Sequence, residues 1–391
     1  MEVSLTKLLK DFIESEKTGG FILIACTVVS ILIANSGIGE GYVHFWHYSV
    51  GAEWEGLNLN YPIEFWINDG LMAIFFLLVG LEIEREIYIG ELSNLKNALL
   101  PVLAAVGGMA VPALFHYLFN NGLPTQNGIG IPMATDIAFA LGVLSLIGNR
   151  VPTSLKIFLT ALAIIDDLGA IIIIAIFYTK GFSSSSFIIA MSIFGGLLVL
   201  NRLKVHNVIF YLIPGVFMWY FMHESGVHAT ITGVLLAFAI PFGNGDENSP
   251  SYRLQHVLHK PVAFIILPVF ALANTGIVFN QDWYAGLTTA NSLGILCGLV
   301  LGKPIGILLL CFLAIKLGIS RLPENSGWLH ILGAGILAGI GFTMSIFITL
   351  LAFEDTTTIT NSKIAVLAAS ILAGSCGYVF LRSIRADKIE E

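Results

Sequence analysis

Long apolar runs recur from one end of this chain to the other. Most approach the roughly 20 residues a helix needs to cross the hydrocarbon of a bilayer. Candidates lie near 12–34, 62–85, 98–119, 126–147, 154–178, 185–201, 207–221, 226–241, 257–276, 290–315, 328–352 and 362–382, the two at 207–221 and 226–241 being short. Between them stand turn-rich connectors such as Gly243-Asn244-Gly245-Asp246 and Leu322-Pro323-Glu324-Asn325-Ser326. Charged residues make up only 12% of the 391 residues, about half the roughly 25% usual in soluble domains. So few charges cannot cover a water-facing surface, and a mean hydropathy of +0.85 agrees. The chain therefore reads as an all-α polytopic membrane protein of about 12 transmembrane helices, one domain spanning 1–391. A net charge of −7 leaves no basic surface for nucleic acid. Cys26, Cys297, Cys311 and Cys376 sit in apolar runs without CxxC spacing, which reads as packed thiols and neither disulfides nor metal ligands.

Lysine and arginine fix an orientation. With the N-terminus placed inside, 16 of the 19 basic residues, from Lys7 to Lys388 and including Arg385, fall in inner segments. Lys180 and Lys363 fall outside, and Lys303 falls within a span. That asymmetry is the positive-inside pattern with both termini cytoplasmic. The charged start of the chain, with no small-residue cleavage site after its first apolar run, argues against a cleaved signal peptide. The longest outer connector, 35–61, alternates polar and apolar residues in Leu57-Asn58-Leu59-Asn60-Tyr61. It suits a small β-hairpin or an interfacial aromatic loop.

Ionisable residues inside a span cost several kcal/mol, about 2.5–3.5 at the least, and so point to function. Asp136, Asp166, Asp167 and Lys303 stand out, followed by Glu82, Arg85 and Glu86 at the inner end of the second span. Asp136 closes the string Gly128-Ile129-Gly130-Ile131-Pro132-Met133-Ala134-Thr135-Asp136. Proline inside a helix removes one hydrogen bond and clashes with the carbonyl four residues back. With two glycines beside it, the expectation is a broken span whose carboxylate meets the positive end of the following half-helix. Asp166-Asp167 borders a stripe of small residues from Ala163 to Ala170 that would let another backbone approach. Two adjacent acids cannot comfortably both be charged there, so at least one should hold a proton. Na⁺, a hard cation that favours oxygen ligands, could replace it.

Lys303, in Gly302-Lys303-Pro304, lacks the glycine spacing and the following Ser/Thr of a phosphate loop. Within a bundle its expected partner is Asp166 or Asp167. The eleventh span, Gly333-Ala334-Gly335 through Gly339-Ile340-Gly341-Phe342-Thr343-Met344-Ser345, suggests a second break. Two interrupted spans at matching places point to two inverted-topology repeats, about 98–178 and 290–382, with the broken helices crossing at the midplane. His223-Glu224 and His228 miss the HExxH spacing that puts two histidines on one face, so zinc is not expected. His256 and His259, beside Gln255 and Lys260 at the inner mouth of the ninth span, suit either a pH-sensing role or an ordinary wet interface.

At these residues the chain resembles the NhaA-type Na⁺/H⁺ antiporters, from Phe21 to about Arg382. The strings that carry the resemblance are Phe75–Glu82, Ala134–Gly142, Ala161–Ala170, Ser225–Thr230, Gly302-Lys303-Pro304 and Gly339–Ser345. Inverted repeats are themselves a trait of that family, so the repeat reading is not independent of the likeness. The resemblance implies a bacterial inner-membrane homodimer closed partly by the outer hairpin. It further implies electrogenic, pH-dependent exchange of cytoplasmic Na⁺ or Li⁺ for external H⁺, without a cofactor and without enzymatic chemistry. Asp166 and Asp167 would bind Na⁺, Li⁺ or H⁺, with Thr135, Asp136 and Lys303 supporting charge at the broken helices. The pH response would fall on Glu82, Arg85, Glu86, His256 and His259. Two positions depart from the family: Gln255 stands where a Glu is usual, and Glu84 where a basic residue usually precedes Arg85. Two rivals fit less well. An intramembrane aspartyl protease places its acids on separate spans in other sequence contexts, and a passive channel tends to use charge rings from several subunits.

Overall fold

The computed structural model describes residues 2–54, 57–179, 181–279 and 282–384. Of the charges used above for orientation, Lys180, Arg385 and Lys388 lie outside the described residues. The chain is helical almost throughout. In order it forms α1 (Glu2–Ala34), α2 (Gly39–Trp46), α3 (Ile63–Tyr88), α4 (Leu95–Asn120), a 3-10 helix (Pro124–Met133) and α5 (Ile137–Ile147). Next come α6 (Thr153–Phe177), α7 (Ser184–Arg202), α8 (Ile209–Glu224), α9 (Ile231–Ala239) and α10 (Pro250–Asn274). The chain finishes with α11 (Ala290–Lys316), α12 (Trp328–Ala338), α13 (Phe342–Ala352) and α14 (Thr356–Ser383).

Among the described residues, eight helices are long and apolar enough to cross a membrane, or up to ten if each of two bent pairs is one span. One bent pair is α12 with α13, at 46°. The other, Thr18–Ala34 with α2, turns through 119°, a bend the apolar run of the first span did not reveal. The two short candidates become α8, of 16 residues, and α9, of 9, both below the length of a full crossing. The architecture is all-α and polytopic, with eight to ten spans by length and composition among the described residues, α8 and α9 not counted among them.

The chain divides into two compact units. The first holds Glu91–Ala170 and Asn280–Glu391 with the start of α1. Its centre is the contact of α4 with α11. A Cβ on Gly107 would land on the Gly306 carbonyl and one on Gly306 on the Gly107 carbonyl, so the two backbones touch. Small residues at a crossing allow this approach, and dispersion then holds it. Gly169, in the small stripe of α6, instead packs against the thioether of Met109. In this unit the close backbone approach that glycine positions allow is made by Gly107 and Gly306.

The second unit holds Ile22–Gly90 and Ile171–Phe279. There α3 lies along α9: Gly233 leaves no room for a side chain beside Ala73, and a Cβ on Gly80 would come 2.6 Å from that of Ala237. Leu77, Leu81, Leu197, Tyr211, Met218, Leu236 and Ile240 form its apolar core. The connector before α3 makes two antiparallel pairs, Ser49–Val50 with Tyr61–Pro62 and Glu53–Trp54 with Leu57–Asn58. No cysteine forms a disulfide; Cys311 is buried, Cys26 and Cys297 half-buried, and Cys376 exposed on α14, so only the first is a fully packed thiol.

Candidate functional site

In the first unit the 3-10 helix runs through Pro132 and stops at Met133, and α5 starts at Ile137. Ala134 and Asp136 between them are extended, with φ/ψ of −77/149 and −87/100. The span is therefore broken, two residues beyond the proline. A second interruption separates α12 from α13 at Gly339–Gly341. Every helix end leaves backbone groups unpaired, and within a bundle only protein can satisfy them.

The two breaks do this for each other. Thr135 Oγ1 donates to the carbonyl of Ala338, the last residue of α12, at 2.9 Å. Ser345 Oγ, in the first turn of α13, donates to the Ile131 carbonyl near the end of the 3-10 helix at 2.7 Å. Asp136 N–H donates to the Ile340 carbonyl at 2.7 Å. The Asp136 side chain caps both half-helices that begin here. Its Oδ1 accepts from Phe139 N–H at 2.9 Å, and its Oδ2 from Thr343 N–H at 3.1 Å and Thr343 Oγ1–H at 2.5 Å. An anion between two helix N-termini is where the dipoles favour it. The expected meeting of Asp136 with the following half-helix is present, and α13 is added to it. Ser370 Oγ accepts from Phe342 N–H at 3.1 Å and completes the first turn of α13.

Lys303 is fully buried, and Asp166 and Asp167 are 1% and 2% exposed. A widened π-type turn at Gly298–Gly302 leads into Lys303, and Pro304 follows without an N–H. The ammonium has three protons and finds three acceptors. They are the Met133 carbonyl at 2.5 Å, Thr135 Oγ1 at 2.7 Å, and Asp166 Oδ2, with which it makes an ion pair. The sequence left the partner open between the two acids; the structure pairs Asp166. Among the described residues, Asp166 Oδ1 has no hydrogen-bond partner. Asp167 is close enough to act on the lysine charge. Thr135, Asp136, Asp166, Asp167 and Lys303 thus come together in one buried locus, joined by Thr343 and Ser345. The hydroxyls beside the eleventh-span glycines were visible in sequence, but their acceptors, over two hundred residues upstream, were not.

The remaining candidates lie in the second unit. Arg85 Nη2 donates to Glu86 Oε1 at 3.3 Å. Gln255 hydrogen-bonds Glu82, and His259 lies near Arg85, His256 and Lys260. The Tyr252 and His256 rings stack at 6.4 Å. Glu82, Arg85, Glu86, His256 and His259 therefore form one polar cluster. Glu84 does not join it: it is 4% exposed, and its Oε2 has no hydrogen-bond partner among the described residues. His223 packs edge-on against Phe65 with ring centroids 4.9 Å apart, while His228 Nε2 meets the Tyr178 carbonyl at 2.9 Å, so the two serve separate surroundings.

Known proteins resemble this chain along nearly its whole length. The sequence profile of the Na⁺/H⁺ antiporter 1 family matches residues 10–381. The chain is 60% identical over 389 residues to the Na⁺/H⁺ antiporter NhaA of Flavobacterium psychrophilum, covering 100% of this chain and 99% of that protein. It is 60% identical over 384 residues to the NhaA of Dechloromonas aromatica, covering 97% of each. The fold is also that of the sodium proton antiporter MjNhaP1 from Methanocaldococcus jannaschii, at a TM-score of 0.53 and 14% identity over 97% of this chain and 100% of that one. With a match that runs through both breaks, the paired acids and the buried lysine, the chain belongs to the Na⁺/H⁺ antiporter 1 family.

Proposed function

We propose that the Na⁺/H⁺ exchange that goes with this family takes place here at Asp166 and Asp167, which bind Na⁺, Li⁺ or protons in turn. The observation that carries this reading is the state of Asp166: one oxygen is held by a fully satisfied lysine ammonium, and the other is buried with no hydrogen-bond partner among the described residues. A bare carboxylate oxygen at that depth is costly and is relieved by a proton or a hard cation. Thr135 and Lys303 hold the site's charge in place, and Asp136 fixes the two breaks around it. The exchanger takes Na⁺ or Li⁺ from the cytoplasm and returns external protons. Two titrating carboxylates favour two protons per Na⁺, which makes the exchange electrogenic.

Spans 98–178 and 290–382 act as inverted repeats. The support is the reciprocity of the breaks, where a hydroxyl following each takes the terminal carbonyl of the other. Glu82, Arg85, Glu86, His256 and His259 set the pH response, with Gln255 in place of an acid altering its midpoint. The protein works in a bacterial inner membrane with both termini cytoplasmic, as the basic residues of its connectors direct. It works as a homodimer joined partly through the strands at 49–62. Sodium-driven proton flux in proteoliposomes, measured against pH and membrane potential, tests the reading. Flux that runs without a countergradient makes the protein a channel instead.

A further inference from the structure

The seam between α3 and α9 can be followed residue by residue. Ala73 and Leu77 lie against Gly233, and Gly80 lies against Val234 and Ala237. At the end of α3 the Tyr88 ring packs on Phe242, past the end of α9, with centroids 4.8 Å apart, and Ile89 reaches Gly245. The contacts climb both segments together. Ala73, Leu77, Gly80 and Glu84 form one helical stripe, so Glu84 falls on the end of α9, at about 238–241. Ile240 N–H reaches the Leu236 and Ala237 carbonyls, but Pro241, which follows, has no N–H. The last carbonyls of α9, those of Phe238 and Ala239, have no helical donor among the described residues. Asn201 Nδ2 reaches one of them, the Ala239 carbonyl, at 2.9 Å. A carboxylate at this place meets acceptors and the negative end of a helix dipole. A carboxylic acid, whose O–H is a donor, fits.

The groups around Glu84 offer no counter-charge. On its own helix, Glu82 and Glu86 point about 200° away around the axis and Arg85 about 100°. Among neighbouring elements, α9 and the turn Val262–Ile266 carry no ionisable residue. The connector after α9 carries Asp246 and Glu247, and Asp246 accepts from Asn248 N–H. The start of α10 carries Tyr252, Arg253, His256, His259 and Lys260, of which His259 meets Arg85, while Gln255 meets Glu82 on the far face of α3. Asp69 belongs to the first turns of α3, about four turns away. The end of α7, which reaches α9 through Asn201, carries Arg202, and that side chain is exposed; among the described residues Glu84 forms no ion pair.

We propose that Glu84 is a proton-binding site separate from Asp166 and Asp167. Protonated, it donates to the terminal carbonyls of α9 and closes the α3–α9 seam; giving its proton to bulk water, it opens the seam. This goes beyond the function proposed above, since it adds a pH-responsive element outside both the ion site and the polar cluster. The test is hydrogen–deuterium exchange of residues 231–245 in the full-length protein in lipid nanodiscs, each pH compared at equal intrinsic exchange. In the wild type, protection there should fall by about tenfold from acid to alkaline pH. E84Q, neutral at every pH and still a donor, should keep its protection throughout. E84M, neutral without a donor, should be less protected and equally flat. Wild-type protection that does not change with pH overturns the proposal whatever the variants do. So does a pH dependence that persists unchanged in E84Q or E84M.

Discussion

The carboxylate of Asp136 accepts both the backbone N–H and the hydroxyl of Thr343, 207 positions away, while also capping the helix that begins at its own next residue. One side chain therefore holds the starts of two half-helices. Asp136→Asn offers a single acceptor oxygen and a misplaced amide donor, so one cap must be lost, at about 0.5–2 kcal/mol. Exchange should weaken and its pH response shift, without disappearing. Sodium-driven proton flux checks this, and total loss of exchange would place Asp136 in direct contact with the cation.

Asp167→Asn should abolish cation binding and exchange while leaving the Lys303–Asp166 pair intact. Isothermal titration with Na⁺ and flux in proteoliposomes read both quantities. Near-normal exchange by this variant removes Asp167 from the site.

Asp166→Asn should abolish coupled transport and also destabilise the protein by about 3–5 kcal/mol, since it strands a buried ammonium. Adding Lys303→Met removes the stranded charge and should recover most of that loss, with transport still absent. Thermal unfolding in detergent separates the two effects. Equal unfolding temperatures for wild type and the Asp166→Asn variant would show that the lysine finds another anion.

Competition between Na⁺ and protons fixes a slope that does not depend on the polar cluster. If each Na⁺ displaces two protons, a tenfold rise in Na⁺ lowers the acid-side midpoint of exchange by about 0.5 unit, and if one, by about 1 unit. The first value is expected. An acid-side midpoint indifferent to Na⁺ would falsify shared binding at Asp166 and Asp167.

Asp355 caps the first turn of α14, accepting from Thr358 N–H at 2.8 Å and Thr358 Oγ1–H at 2.7 Å. These bonds favour the ionised form and hold its carboxyl below the usual range. The sign follows from linkage: the cap's contribution is present above the usual carboxylate pKa and fades as pH falls through the lowered value. Amide protection at 356–362, compared at equal intrinsic exchange, should therefore fall on acidification in the wild type and be low at all pH in Asp355→Ala.

Span positions and both breaks were legible in sequence because apolar length, proline, glycine and buried charge act locally. The choice of Asp166 over Asp167 was not, because adjacent residues differ by about 100° around a helix and either could have faced Lys303. The paired hydroxyls of Thr135 and Ser345 were equally hidden, since each bond joins residues over two hundred positions apart. Length and composition mark eight to ten spans among the described residues, because α8 and α9, read in sequence as two further spans, are short helices of 16 and 9 residues. The 119° turn after Ala34 falls in Asn35-Ser36-Gly37-Ile38-Gly39, a string that marks a connector but carries no sign of its angle.

The contact of Gly107 with Gly306 behaves as a bearing. Two surfaces without side chains can swivel on each other with little change in contact. Sliding is another matter, because Leu310 and Val111 stand at the edges of the contact and would be driven into the facing backbone. Lys303 sits about 4.5 Å along the axis from this pivot, and the end of the helix at Lys316 about 15 Å. A tilt of α11 about that point therefore sweeps the far end of the helix some three times further than the lysine. The ammonium can stay near its carboxylate while the ends of the span travel.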